Sequence, residues 1–509
     1  MNSKRLKYLG LALWLAGTSG SAAWAQGSVE ERCGNLVRMN FASIPDAPTH
    51  VISAMLAQVE GLPEFCEVRG YITPQVQFAL RMPTQNWNGK FLLTGCGGFC
   101  GSVYVEGTND GLKRGYAVTT SDMGHQSTAL DAKWAYNNIQ AEIDFGYRAT
   151  HVNAVAAKAI VAAFYGRPPR YSYYQGCSTG GRQGMVEAQR YPEDFDGIIA
   201  GAATIYYDTS GFQLLWSALA NLDDQDRPIL KSPQVEMLHK AVIDKCDAID
   251  GSKDGIIEDP RNCDFDPGAI ECKGAGASDC LTINQVEVVR KIYQGPVNSK
   301  GEKIHVGAAM PGSELNWLGP YIGDENTPPR YLGFMEDKFR YMSFSEDPRP
   351  SWDSRSINWD TDPARLGSVR AIYSGTNPDL RKFKARGGKL ITYHGWADQS
   401  VIPMQSIDYY ELTVRTMGGQ TSTQDFSRLF MIPGMNHCRG GVGADAIDYL
   451  GYLEEWVENA KPPDVMIGKH IENGTVKFTR PHYPYPDVAR YSGQGNVNDA
   501  ANWKRVTPE

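Results

Sequence analysis

The stretch around residue 178 constrains the fold of this chain more than any other sequence feature. Residues 176–180 read Gly-Cys-Ser-Thr-Gly, a G-x-S-x-G pattern that lies between a predicted strand at 171–174 and a predicted helix at 183–191. Glycines in this pattern let the chain turn sharply from strand to helix and lift the serine hydroxyl above the edge of a sheet. The pattern therefore predicts a strand–turn–helix unit with a nucleophile at Ser178.

The surrounding sequence alternates short apolar strands with helices. Apolar residues at helical spacing predict a helix over 152–164 that ends at Gly166, and further helices at 404–417 and 447–457. Short apolar runs predict strands at 91–93, 116–119, 171–174, 197–200, 389–393 and 429–432. This alternation predicts an α/β fold in which helices cover a parallel sheet.

Residues 210–365 interrupt that alternation. The stretch holds four cysteines, many aspartates and glycines, and scattered aromatic residues. We therefore expect 210–365 to be an inserted domain, and 26–209 together with 366–509 to form one catalytic domain. This division follows from the α/β rhythm, which stops at the first boundary and resumes after the second.

The first 25 residues have the pattern of a secretory leader. Basic residues precede an apolar run at 9–16, and residues 23–25, Ala-Trp-Ala, match a signal-peptidase site. The apolar run is too short to span a bilayer. We expect residues 1–25 to be removed, which leaves a secreted or periplasmic protein that starts at Gln26 and has no membrane span.

The composition is that of an ordinary globular protein, and the cysteine count fits export. The chain has ten cysteines, and an even number in an exported protein predicts disulfides, here about five. The cysteines form no paired C-x2-C pattern, so we expect no zinc. Removal of the leader takes the formal net charge from −8 to about −11. Because the sequence contains no basic cluster, a nucleic-acid partner is not expected.

A reactive serine needs a base and an acid that orients the base, and enzymes built around such an elbow supply them in the order Ser, Asp, His. His437, in IPGMNHCRG, follows one predicted strand, and Asp398, in YHGWADQS, follows another. We predict that Ser178, Asp398 and His437 form a catalytic triad. The alternative is that His437 is a surface loop residue and Asp398 a helix N-cap.

One cysteine stands directly beside each reactive residue. Cys177 precedes Ser178 and Cys438 follows His437, so formation of the triad would bring the two cysteines close enough for a disulfide. The alternative, a cysteine hydrolase that uses Cys177, requires a free thiolate in an oxidising compartment.

The motifs Cys177-Ser178, Asp398 and His437-Cys438, with HGWAD, PGMNHC and the glycine-rich loop, resemble the tannase and feruloyl esterase family. This family includes the mono(2-hydroxyethyl) terephthalate hydrolases. The resemblance covers nearly the whole mature chain. It implies an α/β-hydrolase core, a lid inserted between the nucleophile and the acid, and hydrolysis of esters of aromatic acids.

The oxyanion hole of such an enzyme is formed by two backbone N–H groups. One belongs to the residue after the nucleophile, Thr179, and we expect the other in TGCGGFCGS, at Gly98 or else at Gly97. The resemblance also implies that His394 contacts the substrate. Three lid aromatics are candidates either for stacking on the acyl ring or for packing inside the lid: Phe339, Tyr341 and Phe344.

Residues 246–260, CDAIDGSKDGIIEDP, suggest a calcium loop. Asp247, Asp250 and Asp254 would repel one another in a curled loop unless a hard cation lay among them. The resemblance implies one structural Ca²⁺ per chain, held by these side chains and by the backbone carbonyls of Ser252 and Ile256. The alternative is a solvated acidic turn.

The remaining cysteines are assigned with less constraint. Cys246 and Cys263 flank the acidic loop and are expected to close it, and Cys96 with Cys100 could form a small ring in the glycine-rich loop. The resemblance implies two further pairs: Cys33–Cys66 and Cys272–Cys280. Sequence alone does not fix this connectivity.

Taken together, the sequence predicts an exported serine esterase that resembles feruloyl esterases and acts on small aromatic esters, including plant-polymer-linked ones. Within the same class, a tannase that cleaves galloyl esters or a terephthalate monoester hydrolase remain alternatives. The alternative from another class is a non-catalytic protein that binds phenolics or carbohydrate.

Overall fold

The computed structural model describes residues 27–274, 279–324 and 326–508. The predicted leader lies outside the described residues. The strands are β1 Thr49–Ala57, β2 Phe65–Ile72, β3 Val76–Pro83, β4 Lys90–Thr94, β5 Ala117–Ser121, β6 Tyr171–Cys177, β7 Gly197–Gly201, β8 Lys389–Gly395, β9 Ser427–Ile432, β10 Met466–Glu472, β11 Thr475–His482, β12 Val488–Tyr491 and β13 Trp503–Val506. The α-helices are α1 Val29–Asn35, α2 Asn109–Lys113, α3 Ile139–Ile143, α4 Ala149–Tyr165, α5 Thr179–Arg190, α6 Tyr207–Ala220, α7 Ser232–Cys246, α8 Ile283–Gln294, α9 Arg330–Tyr341, α10 Val369–Tyr373, α11 Arg381–Ala385, α12 Met404–Thr416, α13 Gln420–Gln424 and α14 Tyr449–Asn459.

A nine-stranded sheet organises the molecule, in the order β1-β2-β3-β5-β4-β6-β7-β8-β9. Strands β5, β4, β6, β7, β8 and β9 run parallel to their neighbours, whereas β1, β2 and β3 form an antiparallel edge that joins β5. In such sheets, ligands bind beyond the carboxyl ends of the parallel strands. Strand β6 lies inside the sheet and ends at Cys177, so Ser178 stands at that edge. The predicted α/β class with a parallel core is confirmed.

Helices cover both faces of this sheet. Ile198 and Leu390 pack into one core with residues of α4 and α5, whereas their neighbours Ile199 and Ile391 pack into a second core with Leu453 of α14. Successive side chains of a strand point to opposite faces, so continuous apolar runs are required where both faces are covered. This requirement explains why the sequence predicted the inner strands well.

The strands at the antiparallel edge escaped prediction because charges interrupt them. Glu67 lies on β2 and Arg81 on β3, and their side chains pair across the two strands at 2.9 Å between Oε2 and Nε. Edge strand β1 leaves Ile52 and Met55 exposed, which gives no clean apolar face. Strands β10 to β13, which form two separate two-stranded sheets, were not predicted either.

Helix α5 begins at Thr179 rather than at the predicted residue 183. Glycines lower helix propensity, and the sequence at 180–184 contains three of them. The fold requires them for close contact: a Cβ on Gly181 would approach the carbonyl oxygen of Gly201 to 2.3 Å. The start of α5 is therefore set by tertiary contact, which a propensity argument cannot detect.

Arg182 anchors α5 to the neighbouring helices. Its side chain is fully buried, and its guanidinium donates hydrogen bonds to the carbonyls of Phe145 (3.0 Å), Gly146 (2.8 Å) and Tyr373 (3.0 Å). Phe145 and Gly146 belong to a π-helical turn, Asp144–Arg148, between α3 and α4. Such a widened turn leaves carbonyl groups available to outside donors.

The chain between β7 and β8 contributes helices α6 to α11 and, among the described residues, no strand of the large sheet. Helix α6 begins at Tyr207, close to the first boundary of the expected inserted domain. The division at 210 and 365 stays a prediction.

Five disulfides cross-link the described residues, and no described cysteine is free. They join Cys33 to Cys66, Cys96 to Cys100, Cys177 to Cys438, Cys246 to Cys263, and Cys272 to Cys280. These are the pairs expected above, including the pairing of Cys96 with Cys100 that the sequence left open. None of the helices in the described parts of the chain is both long and apolar enough to cross a membrane.

Candidate active site

Ser178 occupies the turn between β6 and α5 in a strained backbone conformation. Its φ of 63° and ψ of −123° lie outside the regions that non-glycine residues normally adopt. Three backbone hydrogen bonds hold the turn: Ser178 N–H donates to Gly201 O (3.0 Å), and Ser178 O accepts from Arg182 N–H (3.0 Å) and Thr204 N–H (3.3 Å). Strain of this kind is characteristic of functional turns and persists only where the surroundings enforce it.

Asp398 and His437 form the second element of the site. His437 Nδ1 lies 2.7 Å from Asp398 Oδ2, at the ends of neighbouring strands β8 and β9. An ionised carboxylate can only accept, so His437 Nδ1 carries the hydrogen and Nε2 is left as the basic nitrogen. Asp398 is fully buried, whereas the His437 side chain keeps 24 % of its exposure. Asp398 thus orients the imidazole through Nδ1, while the rest of the ring remains accessible.

Asp398 is kept ionised by the groups around it. Its Oδ1 accepts hydrogen bonds from the backbone N–H groups of Ser400 (2.7 Å) and Val401 (2.9 Å). Burial raises the pKa of Asp398, but the neighbouring His437 and His394 rings lower that pKa further than burial raises it. The net pKa lies well below that of an ordinary aspartate, so the carboxylate stays charged throughout the neutral range.

Ser178 and His437 line the same cavity. Within the described part of the chain no hydrogen bond links Ser178 Oγ to His437. Contacts of this type are often long in the absence of substrate and shorten when it binds. The structure therefore brings the three predicted triad residues to one site, with only the Asp398–His437 bond formed.

The disulfide between Cys177 and Cys438 ties the elbow to the histidine loop. The two Cα atoms are 5.9 Å apart although the residues are 261 positions apart in sequence. Cys438 has a positive φ of 68°, which turns the chain immediately after His437. Because Cys177 is oxidised in this bond, it has no thiolate to offer as a nucleophile.

Two residues that line the cavity with Ser178, Thr179 and Gly98, are candidates for the donors of an oxyanion hole. Thr179 is the first residue of α5, so its N–H has no acceptor within the helix. Gly98 lines the same cavity, and neither N–H donates a hydrogen bond to any described residue. Thr179 Oγ1 donates to Gly98 O at 2.7 Å, which fixes the glycine-rich loop against the elbow. Gly97 does not line this cavity.

Gly98 cannot be replaced without a clash. Its φ is +58°, and a Cβ there would approach Ala129 O to 2.3 Å. The Cys96–Cys100 disulfide closes the loop around it. These features favour Gly98 over Gly97 as the second donor.

The cavity beside Ser178 has a volume of about 280 Å³ and a mostly apolar wall. Its aromatic and aliphatic lining includes Phe99, Leu214, Tyr331, Phe334 and Met335. A pocket of this kind suits a flat apolar group with a few polar substituents.

The lid aromatics proposed from sequence are not on that wall. Phe339 is fully buried and packs on Phe212, Phe344 and Trp352, with ring centroids 4.9, 5.6 and 5.6 Å away. Tyr341 contacts Tyr136 instead. Phe339 and Phe344 therefore fit the alternative of packing inside the lid, whereas Tyr341 packs on Tyr136, which lies outside the expected inserted domain.

The expectation that His394 contacts substrate stays a prediction, which the buried position of its ring does not favour. His394 is fully buried and does not line the cavity. Its Nδ1 lies 2.7 Å from Ser406 Oγ, and its Nε2 lies 2.8 Å from Val401 O and 3.2 Å from Asp398 Oδ2. His394, near the end of β8, therefore contacts the loop that carries Asp398 from its buried side.

The acidic loop is curled by its own hydrogen bonds. Asp247 Oδ1 accepts from the N–H groups of Asp254 (3.2 Å) and Gly255 (3.0 Å), and Asp250 Oδ1 accepts from Ser252 N–H (2.8 Å). Burial, joined by the charges of Asp254 and Asp247, raises the pKa of Asp250 to about 7. The loop is thus rich in carboxylates whose negative charge is only partly balanced by neighbouring groups.

Two further residues complete this surrounding. Arg480 pairs with Asp254, and Ile256 is buried in the same loop. The charge of Arg480 also lowers the pKa of Asp250, but among the described residues no ion pair is formed by Asp247 or Asp250. The loop therefore offers oxygen ligands of the type that calcium prefers.

Another group of potential metal ligands lies elsewhere. His151, Glu187 and Asp194 have ligand atoms within 4.8 Å of one another, whereas the three loop aspartates do not form such a group in the described chain. Glu187 lies nine positions after Ser178 in the sequence, which corresponds to a rise of about 13 Å along the axis of α5. The sequence gave no sign of this group, because its members come from α4, α5 and the turn after α5.

Sequence reasoning also missed Lys338, which lines the catalytic cavity. A signal was present: Tyr331, Met335, Lys338 and Met342 recur at helical spacing along α9, so a lysine occupies one position of an apolar stripe. A charged residue at such a position is buried far more often than one on the polar face.

Comparisons with known proteins agree with this geometry. The sequence model described as "Tannase and feruloyl esterase" matches residues 58–506. The chain is 33% identical to mono(2-hydroxyethyl) terephthalate hydrolase of Piscinibacter sakaiensis, over 93% of this chain and 90% of that protein. It is 30% identical to feruloyl esterase B of Aspergillus niger, over 90% and 89%.

A solved structure shows the same fold. The crystal structure of feruloyl esterase B from Aspergillus oryzae superposes with a TM-score of 0.85 at 29% identity, covering 94% of this chain and 100% of that one. The chain therefore belongs to the tannase and feruloyl esterase family of carboxylic ester hydrolases.

Proposed function

We propose that this protein hydrolyses esters of aromatic acids through a triad of Ser178, His437 and Asp398. The proposal rests on the 2.7 Å contact between Asp398 Oδ2 and His437 Nδ1. The His437 ring that this contact orients lines the same cavity as Ser178. Ser178 is the nucleophile, His437 the general base and Asp398 the group that orients His437.

In the first step, His437 Nε2 removes the proton from Ser178 Oγ as Oγ attacks the ester carbonyl carbon. The negative oxygen of the tetrahedral intermediate accepts hydrogen bonds from the N–H groups of Thr179 and Gly98. Asp398 stabilises the imidazolium that forms. When the ester C–O bond breaks, His437 returns the proton to the leaving alcohol, and the acyl group stays on Ser178.

In the second step, a water molecule enters the position left by the alcohol. His437 Nε2 takes a proton from this water, whose oxygen attacks the acyl carbon. The same two N–H groups hold the second oxyanion. Collapse of this intermediate releases the acid and returns the proton to Ser178 Oγ.

The wall of the cavity supports an aromatic acyl group. Phe99, Tyr331 and Phe334 present ring surfaces next to Ser178, and ring–ring contacts add to apolar burial. Two relatives are named as feruloyl and terephthalate ester hydrolases, and both acyl groups are aromatic. A galloyl ester or a terephthalate monoester remains a candidate alongside a ferulate ester, whether free or linked to a plant polymer.

The acidic loop is proposed to hold one structural Ca²⁺. The ligands would be the side chains of Asp247, Asp250 and Asp254 and the carbonyls of Ser252 and Ile256. Support comes from the uncompensated carboxylates of the loop, and binding would draw them closer together than they stand now. The ion would supply cross-linking of the loop rather than chemistry at Ser178.

Export to an oxidising compartment is proposed as well. Five disulfides among the described residues are typical of secreted or periplasmic proteins. The pattern of residues 1–25 provides a leader for that route.

Removal of the nucleophile tests the mechanism. We expect Ser178→Ala to lower kcat on an aromatic methyl ester by several orders of magnitude, and Asp398→Asn to lower it by about 10⁴-fold, because the asparagine favours the wrong histidine tautomer. Steady-state rates with matched circular dichroism spectra give the measurement. Ser232→Ala, at an exposed serine, is the control and should keep full activity. Near-normal turnover by Ser178→Ala would refute the triad, and an inactive parent protein would favour the non-catalytic alternative.

The Cys177–Cys438 bond is expected to position the triad. A Cys177→Ala, Cys438→Ala double variant should lose about 100-fold in rate, because a displacement near 1 Å between nucleophile and base has that effect. It should also lose up to about 5 kcal/mol of unfolding free energy in the chain-entropy model. Rates and urea melts provide the test.

The matched control for that variant removes the disulfide of Cys272 and Cys280, which closes a short loop away from Ser178. It should keep the catalytic rate. Equal rates for the two double variants would show that the Cys177–Cys438 bond has no role in positioning.

Calcium is expected at about one ion per chain in the purified protein, and chelation should lower Tm with little change in kcat below the melting range. A ligand that binds only the folded state stabilises it by about 2.7 kcal/mol at a hundredfold excess over Kd. Elemental analysis and thermal melts with and without chelator measure this. An Asp247→Asn, Asp250→Asn variant should no longer respond to chelator, whereas the exposed-site control Asp224→Asn should respond as the parent does. Absence of calcium with an unmoved Tm contradicts the assignment.

A further inference from the structure

The glycine-rich loop that carries Gly98 borders two open spaces. Gly98 and Phe99 line the catalytic cavity. Cys96, Gly97 and Cys100 line a separate cleft of about 800 Å³. A Cβ added to Gly97 would meet no atom of the described residues within 4 Å outside its two chain neighbours. Atoms beside an open space lack contacts on that side. Packing alone therefore does not hold this loop in place.

A short covalent ring encloses the donor residue instead. The Cys96–Cys100 disulfide joins residues four positions apart, with Cα atoms at 5.5 Å, and Gly98 is the central residue of the ring. Inside the ring, Cys100 N–H donates to Gly97 O at 3.0 Å. Gly98 and Cys100 both have a positive φ, of 58° and 61°. The disulfide thus ties together the two ends of a sharp turn and restricts the dihedral angles available to Gly98.

Gln183 connects this ring to α5, the helix that begins at Thr179. The Gln183 side chain is buried, and its Nε2 donates to Cys96 Sγ at 3.1 Å and to Cys100 Sγ at 3.7 Å. The two sulfur atoms are the only acceptors of this amide group among the residues that the structure describes. A buried amide without an acceptor is unfavourable, so Gln183 favours the closed ring in its present position.

The N–H of Gly98 depends on this arrangement more than the N–H of Thr179 does. Thr179 belongs to α5, whereas Gly98 is attached to the helix through its own carbonyl, which accepts from Thr179 Oγ1 at 2.7 Å. An oxyanion-hole donor is effective only when it lies about 2.7–3.1 Å from the developing negative oxygen. Loosening of the ring would therefore move Gly98 away from the oxyanion while Thr179 stays in place.

We propose that the Cys96–Cys100 disulfide and Gln183 are positioning residues that hold the Gly98 N–H at the oxyanion hole. This inference rests on the proposed function, since it concerns the tetrahedral intermediates formed at Ser178. Cys96, Cys100 and Gln183 do not line the catalytic cavity, so they act through Gly98. Their loss should weaken binding of the transition state and leave binding of the ground state nearly unchanged.

Two esters with the same leaving group separate this role from a change in the cavity wall. Phe99 follows Gly98, lines the cavity and packs on Phe334 at 4.5 Å between ring centroids, so a loop movement could also alter contacts with an aromatic acyl group. 4-Nitrophenyl benzoate carries such a group, whereas 4-nitrophenyl acetate carries only a methyl group. Both esters need the oxyanion hole. A defect in the oxyanion hole therefore lowers kcat/KM for both by the same factor.

A Cys96→Ala, Cys100→Ala double variant should lower kcat/KM by about 10-fold to 100-fold on both esters, because a displacement near 1 Å has an effect of this size. Tm should change little, since a ring this small restricts the unfolded chain far less than a long loop does. The matched control is the Cys272→Ala, Cys280→Ala double variant, which should keep both values. A loss below about 10-fold on the acetate, or a loss confined to the benzoate, overturns the proposal.

Gln183→Met tests the second member of the unit. Methionine has a similar size, and Tyr174 O–H keeps Gly180 O as its acceptor at 2.7 Å. We expect kcat/KM to fall by about 3-fold to 10-fold on both esters, with no further loss when the variant is combined with the cysteine double variant. Gln189→Met, on the same helix but bonded to Gly375 O at 2.7 Å, is the control. An unchanged rate in Gln183→Met, or additive losses, overturns the role of Gln183.

Inhibition by 2,2,2-trifluoroacetophenone gives a measurement that does not depend on turnover. Ser178 Oγ adds to its carbonyl carbon, the serine proton passes to His437, and the new oxyanion occupies the oxyanion hole. In the cysteine double variant, Ki for this ketone should rise by the factor by which kcat/KM falls. Ki for benzamide, which forms no adduct, should change by less than about 2-fold. An equal rise for both ligands overturns the proposal.

The outcomes separate this inference from the proposed function. Normal rates in the cysteine double variant, together with an inactive Ser178→Ala, overturn the positioning role and leave the triad intact. Failure of the unmodified protein to cleave either ester, or full activity in Ser178→Ala, overturns the proposed function itself.

Discussion

The buried carboxylate of Asp398 is the interaction on which the rest of the site depends. It accepts from two backbone N–H groups with one oxygen and from His437 with the other, so it fixes both the turn after β8 and the ring after β9. A charged group without these donors would be costly at this depth. These hydrogen bonds make the burial of the Asp398 charge tolerable. The one from His437 also sets the tautomer and orientation of that ring.

Hydrogen bonds and a disulfide connect the loops of Asp398 and His437 to the rest of the site. Asn316, from the segment between β7 and β8, donates to Ala397 O (2.8 Å) and Asn436 Oδ1 (2.7 Å), so this segment contacts both loops that carry the acid and the base. The Cys177–Cys438 bond links the base loop to the elbow.

The sequence predicted those parts of the site that a short stretch of residues determines. The elbow, its strand β6 and the loops of Asp398 and His437 were predicted because glycines and apolar runs mark them directly. It did not find β1 to β3, whose charges pair across strands, or the start of α5, which depends on contact with Gly201. It also left open whether the lid aromatics stack on the acyl ring or pack inside the lid. Which side of a residue faces a cavity depends on packing between elements distant in sequence, as Lys338 illustrates.

The most direct test of the account is the identity of the residue that reacts. Treatment with a fluorophosphonate ester, digestion, and mass spectrometry of the peptides locates the covalent adduct, because such reagents react with serines activated by a neighbouring base. We expect one adduct, on Ser178, with much slower labelling in His437→Ala. An adduct on another residue, or continued ester hydrolysis after Ser178 is fully labelled, would contradict it.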